Sequence, residues 1–314
     1  MNEAKHKHGP LYFDLNTGAK IPMVALGTWK APPGVVGEAV KTVVKAGYRR
    51  IDFVNEKEIG VTLKELFSNG VVKRSEMFIT SKLCDHAPED VSTLSKSLED
   101  LQFDYIDLYL LLCFPETWNA MEGLYTPGQA RAIGVNNFST KKLQDLLGYA
   151  KVAPVINQVE CHPVWQQPAL HNFCKSNGVH LSAFPPLGSP GSWIKREILK
   201  EPTLIEIAEK LNKLPVKVAL RWGIQTGHNI LLKSGTKSRI IENLSLFHYC
   251  IPPGLFLKFS CKTFLSLGAI LSMSHKSPKW PFKSVSELFC LHVRDVFDFM
   301  FGYSAQRYRP YIEF

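Results

Sequence analysis

The sequence predicts an α/β protein, a (β/α)8 TIM barrel, and three observations lead to that fold class. Eight short, β-rich apolar runs alternate with longer amphipathic stretches between Val24 and about Leu246. Most of these runs are continuously apolar, which is typical of parallel strands buried on both faces. Neither a Gly-x-Gly-x-x-Gly motif after the first strand nor a Walker A loop is present, which weakens the alternative of a doubly wound dinucleotide-binding sheet.

The individual elements follow from turn and cap signals. Asn16-Thr17-Gly18, between Leu11–Leu15 and Ile21–Pro22, predicts a hairpin that closes the bottom of the barrel. Ser139 and Pro168 are helix-starting residues, and Gly47 and Gly178 end helices. The predicted strands are Val24–Gly27, Arg50–Phe53, Met77–Lys82, Ile106–Leu112, Ala132–Val135, Val155–Val159, His180–Phe184 and Asn229–Leu232. The predicted helices are Val35–Ala46, Glu56–Phe67, Pro88–Leu101, Thr117–Tyr125, Ser139–Ala150, Pro168–Asn177, Pro202–Leu211 and Pro215–Gln225.

Composition excludes several other classes of protein. The 314 residues are 45% apolar and 21% charged, as in ordinary globular chains. A net charge of +9 suits an anionic ligand, but no run of five basic residues indicates nucleic-acid binding. The seven cysteines are scattered and never spaced C-x-x-C, so we expect neither a disulfide framework nor a zinc site, and a reduced cytosolic compartment. The longest apolar run, Phe264–Met273, is short of the ~20 residues of a membrane helix.

Polar residues interrupt the apolar strands at their carboxyl ends, where a barrel of this kind carries its chemistry. A lysine and an aspartate among them, Lys82 and Asp52, would meet at the mouth of the barrel, either as a tuned catalytic pair or as an ion pair that stabilises the rim. The full set is Thr28, Trp29, Asp52, Lys82, Asn136, Asn137, Gln158, Glu160, Lys233 and Ser234.

Seven segments also carry a family resemblance, and they occur in the family's order. They are Leu26-Gly27-Thr28-Trp29, Gly47-Tyr48-Arg49-Arg50-Ile51-Asp52, Asn55-Glu56-Lys57-Glu58-Ile59-Gly60, Ile79-Thr80-Ser81-Lys82-Leu83, Asp104-Tyr105-Ile106-Asp107-Leu108-Tyr109-Leu110, Ala132-Ile133-Gly134-Val135-Asn136-Asn137-Phe138-Ser139 and Asn157-Gln158-Val159-Glu160-Cys161-His162-Pro163. From about residue 11 to Ser260 the chain resembles the aldo-keto reductase family, most of all its plant cytosolic members. That resemblance implies a (β/α)8 barrel that reduces aldehydes and ketones with NADPH.

The resemblance implies a set of cofactor-binding residues. Asn137 and Gln158 match the pair that holds the nicotinamide carboxamide, with Asn136 in place of the usual Ser. Phe184 replaces the Tyr that stacks on the nicotinamide ring. Thr28, Trp29 and Asp52 complete the nicotinamide end. Leu187, Gly188 and Ser189 match the pyrophosphate loop. At the adenosine end the matching residues are Lys233, Ser234, Gly235, Arg239, Glu242 and Asn243, of which Lys233, Ser234 and Arg239 resemble the groups that bind the 2′-phosphate.

The chain departs from the family at the catalytic groups. Asp52 and Lys82 are retained, but only Phe53 and Val54 stand before Asn55, and the missing loop includes the catalytic Tyr. The orienting His is matched by Cys113, and a long loop after Pro115 is also missing. These deletions shorten the loops after strands two and four. Because only Phe53 and Val54 connect the second strand to the next helix, we expect the start of that helix, Asn55–Gly60, to be unwound. After Ser260 the chain no longer resembles the family.

The sequence therefore predicts a barrel domain over residues 1–260 and a divergent tail over 261–314. Its predicted function is NADPH-dependent reduction of aldehyde or ketone carbonyls with impaired activity; the alternative is a weak or inactive NADPH-binding pseudoenzyme. The catalytic candidates are Asp52 and Lys82, with Cys113 at the His position. We expect a cytosolic monomer with a small carbonyl substrate, without a metal and without a nucleic-acid or membrane partner.

Overall fold

The computed structural model describes residues 12–29, 31–32, 34–53, 56–83, 92–112, 117–125, 128–188, 197–233 and 236–259. Four predicted site residues lie outside these ranges: Cys113, Ser189, Ser234 and Gly235. The predicted tail 261–314 also lies outside them, so the division at residue 260 stays a prediction.

Eight parallel strands close into a barrel, which confirms the predicted fold class. A separate antiparallel hairpin of β1 (Tyr12–Asp14) and β2 (Lys20–Pro22) precedes it. The barrel strands are β3 (Val24–Gly27), β4 (Arg50–Asp52), β5 (Phe78–Leu83), β6 (Leu108–Leu112), β7 (Ile133–Asn136), β8 (Ile156–Val159), β9 (His180–Ala183) and β10 (Asn229–Leu232). They follow one another around the barrel in chain order, and β10 pairs with β3 to close it.

Helices connect the strands on the outside. They are α1 (Val36–Ala46), α2 (Glu56–Ser68), α3 (Ser92–Leu101), α4 (Trp118–Tyr125), α5 (Thr140–Leu147), α6 (Pro168–Ser176), α7 (Pro202–Lys210), α8 (Pro215–Gln225) and α9 (Lys237–Asn243), with a further helical segment over 253–259. Single-turn 3-10 helices cover Arg74–Glu76 and Ile198–Lys200.

Local signals explain where these helices begin and end. The Ser139 hydroxyl accepts a bond from the backbone N–H of Lys142 at 3.3 Å, as expected of an N-cap. Gly47 ends α1 with a φ of 104°, a left-handed conformation that favours glycine.

The expected unwinding of Asn55–Gly60 is wrong, because α2 is helical from Glu56 onward. Its first turns are fixed by packing on α3. A Cβ on Gly60 would lie 2.7 Å from the backbone of Leu101, so the two helices approach more closely than any larger residue allows.

Strand pairing sorts the side chains inside the barrel into layers. In a (β/α)8 barrel, neighbouring strands are staggered by about one residue, so alternate strands supply the four side chains of each layer. From the mouth downward the pairings give Gly27, Lys82, Asn136 and Phe184; then Asp52, Leu110, Gln158 and Leu231; then Ala25, Thr80, Gly134 and Ser182; then Arg50, Leu108, Ile156 and Asn229, with Phe78 and His180 below.

The hairpin closes the lower end of the barrel, as predicted. The buried Phe13 of β1 places its ring 4.6 Å from the imidazole of His180, which begins β9. An aromatic contact of this kind covers the bottom of the barrel with apolar surface, leaving the carboxyl ends of the strands as the open side.

Candidate functional site

A buried ion pair lies at the mouth of the barrel. Asp52 ends β4 and Lys82 lies near the end of β5, and their side chains are only 5% and 7% exposed. The Lys82 ammonium donates a hydrogen bond to Oδ1 of Asp52. A buried charge is costly without a partner, so each of these residues depends on the other. The structure thus joins the two residues that the sequence nominated as catalytic.

Two amide side chains extend this pair across the mouth. Gln158 Nε2 donates to Oδ2 of Asp52 at 2.9 Å, and Asn136 Nδ2 donates to Oε1 of Gln158 at 2.8 Å. We call Asp52, Lys82, Asn136 and Gln158 the mouth network. Gln158 and Asp52 share one layer of the barrel but stand on β8 and β4, which are four strands apart and therefore on opposite sides. The network spans the opening and uses both oxygens of Asp52.

Asn137 stands beside the network without joining it. Its φ of 59° is left-handed, and its backbone N–H donates to the carbonyl of Gln158 at 2.9 Å. The side chain of Asn137 is exposed. This exposed amide and the side-chain oxygen of Asn136 are not used by the mouth network, so both can bind a further polar group.

An aromatic pair flanks the mouth on its other side. The rings of Trp29 and Phe184 meet edge to face, with centroids 6.4 Å apart and an interplanar angle of 89°. Phe184 packs against the backbone at Gly27, where a Cβ would lie 3.4 Å from the ring. Both aromatic side chains are half-buried, and Thr28 between Gly27 and Trp29 is buried with its N–H bonded to the Asp52 carbonyl at 3.0 Å. A flat ligand can stack on such partly open rings.

Gly188 lies in a position that only glycine fits. Its φ is +68°, and a Cβ there would lie 2.2 Å from Cδ1 of Ile198. Leu187 beside it is half-buried. Gly188 itself is buried and Ile198 packs against it, so the loop can turn here only because this residue has no side chain.

The second half of the adenosine-type segment is helical, and no helix was predicted there. Helix α9 carries Arg239, Glu242 and Asn243, and buried Ile240 anchors it, because the Tyr48 hydroxyl donates to the Ile240 carbonyl at 3.0 Å. Lys233 and Arg239 are exposed. Within the described part of the chain, Arg239 forms no ion pair, so its guanidinium is available to an anionic ligand.

A proton donor is not evident in this site. Among the described barrel strands, no tyrosine faces inward. The one tyrosine on a described barrel strand, Tyr109 on β6, pairs with outward-facing Ser81 and lines a small cavity next to α4. The described residues at the mouth thus provide charge, amides and aromatic surface, but no hydroxyl acid of the tyrosine type.

The described ranges hold no cluster of three or more His, Cys, Asp or Glu that could bind a metal ion. None of the helices in them combines the length and the apolar character needed to cross a membrane.

Comparison with known proteins gives concordant matches. Residues 23–252 match the aldo/keto reductase family. The chain is 50% identical to Aldo-keto reductase family 4 member C11 of Arabidopsis thaliana, over 88% of this chain and 96% of that protein. It is 39% identical to Aldo-keto reductase family 1 member A1 of Homo sapiens, over 76% of this chain and 85% of that protein. The corresponding protein of Gallus gallus is 40% identical over 76% and 84%.

Proposed function

Because this chain belongs to the aldo/keto reductase family and is an oxidoreductase of small carbonyl compounds, we propose that it uses NADPH and that its turnover is impaired. The observation that carries the proposal is the buried Asp52–Lys82 pair, bonded across the mouth to Gln158, with no inward-facing tyrosine on the described strands. Such a site retains the means to hold a cofactor but has lost a means to transfer a proton.

The fit of a dinucleotide to these residues rests on three features. The tight left-handed turn at Gly188 suits a pyrophosphate loop, and the guanidinium of Arg239, which forms no ion pair among the described residues, suits a 2′-phosphate together with Lys233. The open surface of Phe184 suits the nicotinamide ring, whose carboxamide would bind Asn136 and Asn137. NADPH would supply the hydride for carbonyl reduction. The remaining assigned residues would contribute at the two ends: Thr28, Trp29, Asp52, Gln158, Leu187 and Ser189 towards the nicotinamide and pyrophosphate, and Ser234, Gly235, Glu242 and Asn243 around the adenosine.

The chain's own residues account for the impairment. Carbonyl reduction needs a proton donor next to the oxygen that becomes an alkoxide. Lys82 is engaged with Asp52, and Cys113, at the position of the family's His, offers a weak hydrogen-bond donor. Loss of one general acid typically lowers the rate by ~10²–10⁴-fold. We therefore propose that cofactor binding is largely preserved while carbonyl reduction is slow.

A second function is a pseudoenzyme that binds NADPH without turnover. The mouth network favours it, because both oxygens of Asp52 and both ends of the Gln158 amide are already bonded within the protein. We also propose that the protein is monomeric and cytosolic, acts on a small carbonyl substrate, and binds neither nucleic acid nor membrane. The free buried Cys161 and Cys174 suit a reducing compartment.

The cofactor part is tested by fluorescence titration of NADPH and NADH. NADPH should bind more tightly. Arg239→Ala should weaken NADPH binding by about 1–3 kcal/mol, the scale of a charge-assisted hydrogen bond, and should weaken NADH binding less. Arg131→Ala is the matched control, because Arg131 is also an exposed arginine but precedes β7 at the opposite end of the barrel. Equal affinity of the unmodified protein for the two cofactors would contradict the proposal.

The catalytic part is tested by an aldehyde-reduction assay on the same preparation. The unmodified protein should turn over far below the roughly 1–10³ s⁻¹ of working enzymes. Insertion of the family's loop with its Tyr between Asp52 and Asn55, combined with Cys113→His, should recover measurable turnover. Ordinary rates without these changes would show that another group donates the proton. Binding of NADPH with no turnover in either protein would favour the pseudoenzyme.

A further inference from the structure

Arg50 is buried inside the barrel, and none of the described residues forms a hydrogen bond with its guanidinium. It belongs to β4, faces inward two residues below Asp52, and is 0% exposed. Its Nε, Nη1 and Nη2 atoms have no hydrogen-bond partner among the described residues. The ring of Phe78 lies 5.7 Å from its guanidinium carbon. A charged donor with five N–H groups is costly to bury in this way.

The charges that face the interior of the barrel do not balance. On the inward faces of the described strands they are the cations Arg50 and Lys82, the carboxylate Asp52, and the imidazole of His180. Burial lowers the pKa of Arg50 to about 10, which leaves it charged near neutral pH. Burial, with the charge of Arg50, lowers the pKa of His180 to about 3, so His180 is neutral. One carboxylate thus faces two cations, and both of its oxygens are bonded to Lys82 and Gln158.

Two neighbouring polar side chains, Asn229 and Thr80, also have hydrogen-bond donors that no described residue accepts from. Asn229 shares the layer of Arg50; its side-chain oxygen accepts a bond from Ser182, while its Nδ2 has no partner in the described part of the chain. The hydroxyl of Thr80, in the layer directly above, likewise has no partner among the described residues. Both residues are 0% exposed. The layer above Arg50 otherwise consists of Ala25, Gly134 and Ser182, all small.

We propose that the lower part of the barrel interior binds a small monovalent anion of the chloride class. The Arg50 guanidinium supplies the charge, and Asn229 Nδ2 and the Thr80 hydroxyl supply further donors. An anion satisfies both deficits at once, since it accepts hydrogen bonds and neutralises the surplus charge, whereas water satisfies only the first. A close-packed interior admits an ion of about one atom and excludes larger organic anions. This site is separate from the cofactor site and does not depend on the proposed function.

The test is thermal unfolding without cofactor at constant ionic strength, with chloride replacing gluconate. A ligand that binds only the folded protein raises the melting temperature, here by roughly 3–6 °C at ten times the half-saturating concentration. Arg50→Met should abolish the chloride response, whereas Arg239→Met, which removes an exposed unpaired arginine, should retain it. No chloride-specific response in the unmodified protein, or a response that survives Arg50→Met, would overturn the proposal.

A second measurement decides the matter if Arg50→Met does not fold. Equilibrium dialysis against ³⁶Cl⁻ should show chloride bound to the unmodified protein, and bromide should displace it. Arg239→Met should bind as much. Absence of bound chloride, or its loss in Arg239→Met, would show that the anion does not occupy the barrel interior.

Discussion

Replacing Lys82 by Met removes one partner of the buried ion pair and leaves the Asp52 carboxylate inside the barrel mouth. Breaking a buried pair in this way typically costs about 3–5 kcal/mol, because the remaining charge is uncompensated. Asp52 is 5% exposed, but it keeps the hydrogen bond from Gln158, so we expect the lower end of that range, about 3 kcal/mol. For a barrel of this size that corresponds to a melting temperature roughly 6–12 °C lower.

The matched control is Lys20→Met, which breaks the 2.7 Å pair between Lys20 and Asp14. Those side chains are 69% and 51% exposed, and such pairs contribute at most about 1 kcal/mol. Urea denaturation of both variants measures the difference. The double variant with Lys82→Met and Asp52→Asn should recover part of the lost stability, because it no longer buries an unpaired carboxylate. If Lys82→Met costs no more than Lys20→Met, the pair is not buried as described.

Two further predictions concern Gly188 and His171. In urea denaturation, Gly188→Ala should lower the stability by about 1–3 kcal/mol more than Gly178→Ala, and it should also weaken NADPH binding. Both glycines have a φ of +68°, but only at Gly188 would a Cβ meet Ile198. Equal losses of stability in the two variants would mean that the loop at Gly188 adjusts without strain. Burial lowers the pKa of His171 to about 4. As the pH falls below ~6.5, the unfolded chain therefore takes up a proton before the folded protein does. The free energy of unfolding then falls by about 1.4 kcal/mol per pH unit down to pH 4. His171→Asn should remove that contribution from the pH dependence of unfolding, whereas a variant of the exposed His248 should not; an unchanged slope in His171→Asn would contradict this account.

The barrel could be predicted from sequence because continuous apolar runs are visible along the chain. All eight predicted strands are present; four of them are one or two residues shorter than predicted, and two are shifted by one residue. The strands Val24–Gly27 and Asn229–Leu232 have the predicted bounds. Helix α9 was missed because Lys237, Ser238 and Arg239 begin it with polar residues, and Ile240 alone is buried in it. A single apolar anchor gives no helical period to detect.

The contacts inside the barrel could not be predicted in the same way. Gln158 and Asp52 were both candidate site residues, yet they are 106 positions apart and touch only because β4 and β8 face each other across a closed barrel. Arg50 lies two residues before Asp52 in the segment that resembles the family, but it was not predicted as a site residue. Strand alternation places Arg50 on the same face as Asp52, but the side chains that surround it, and the lack of a hydrogen-bond partner for its guanidinium among the described residues, depend on how the barrel closes.

Because Phe13 covers the lower end of the barrel against His180, the interior faces solvent at the mouth. An ion or a water molecule that enters there passes the mouth network, where Lys82 and Gln158 are bonded to Asp52. We therefore expect exchange between the barrel interior and bulk solvent to be slower than free diffusion. A ligand bound at the mouth would slow that exchange further.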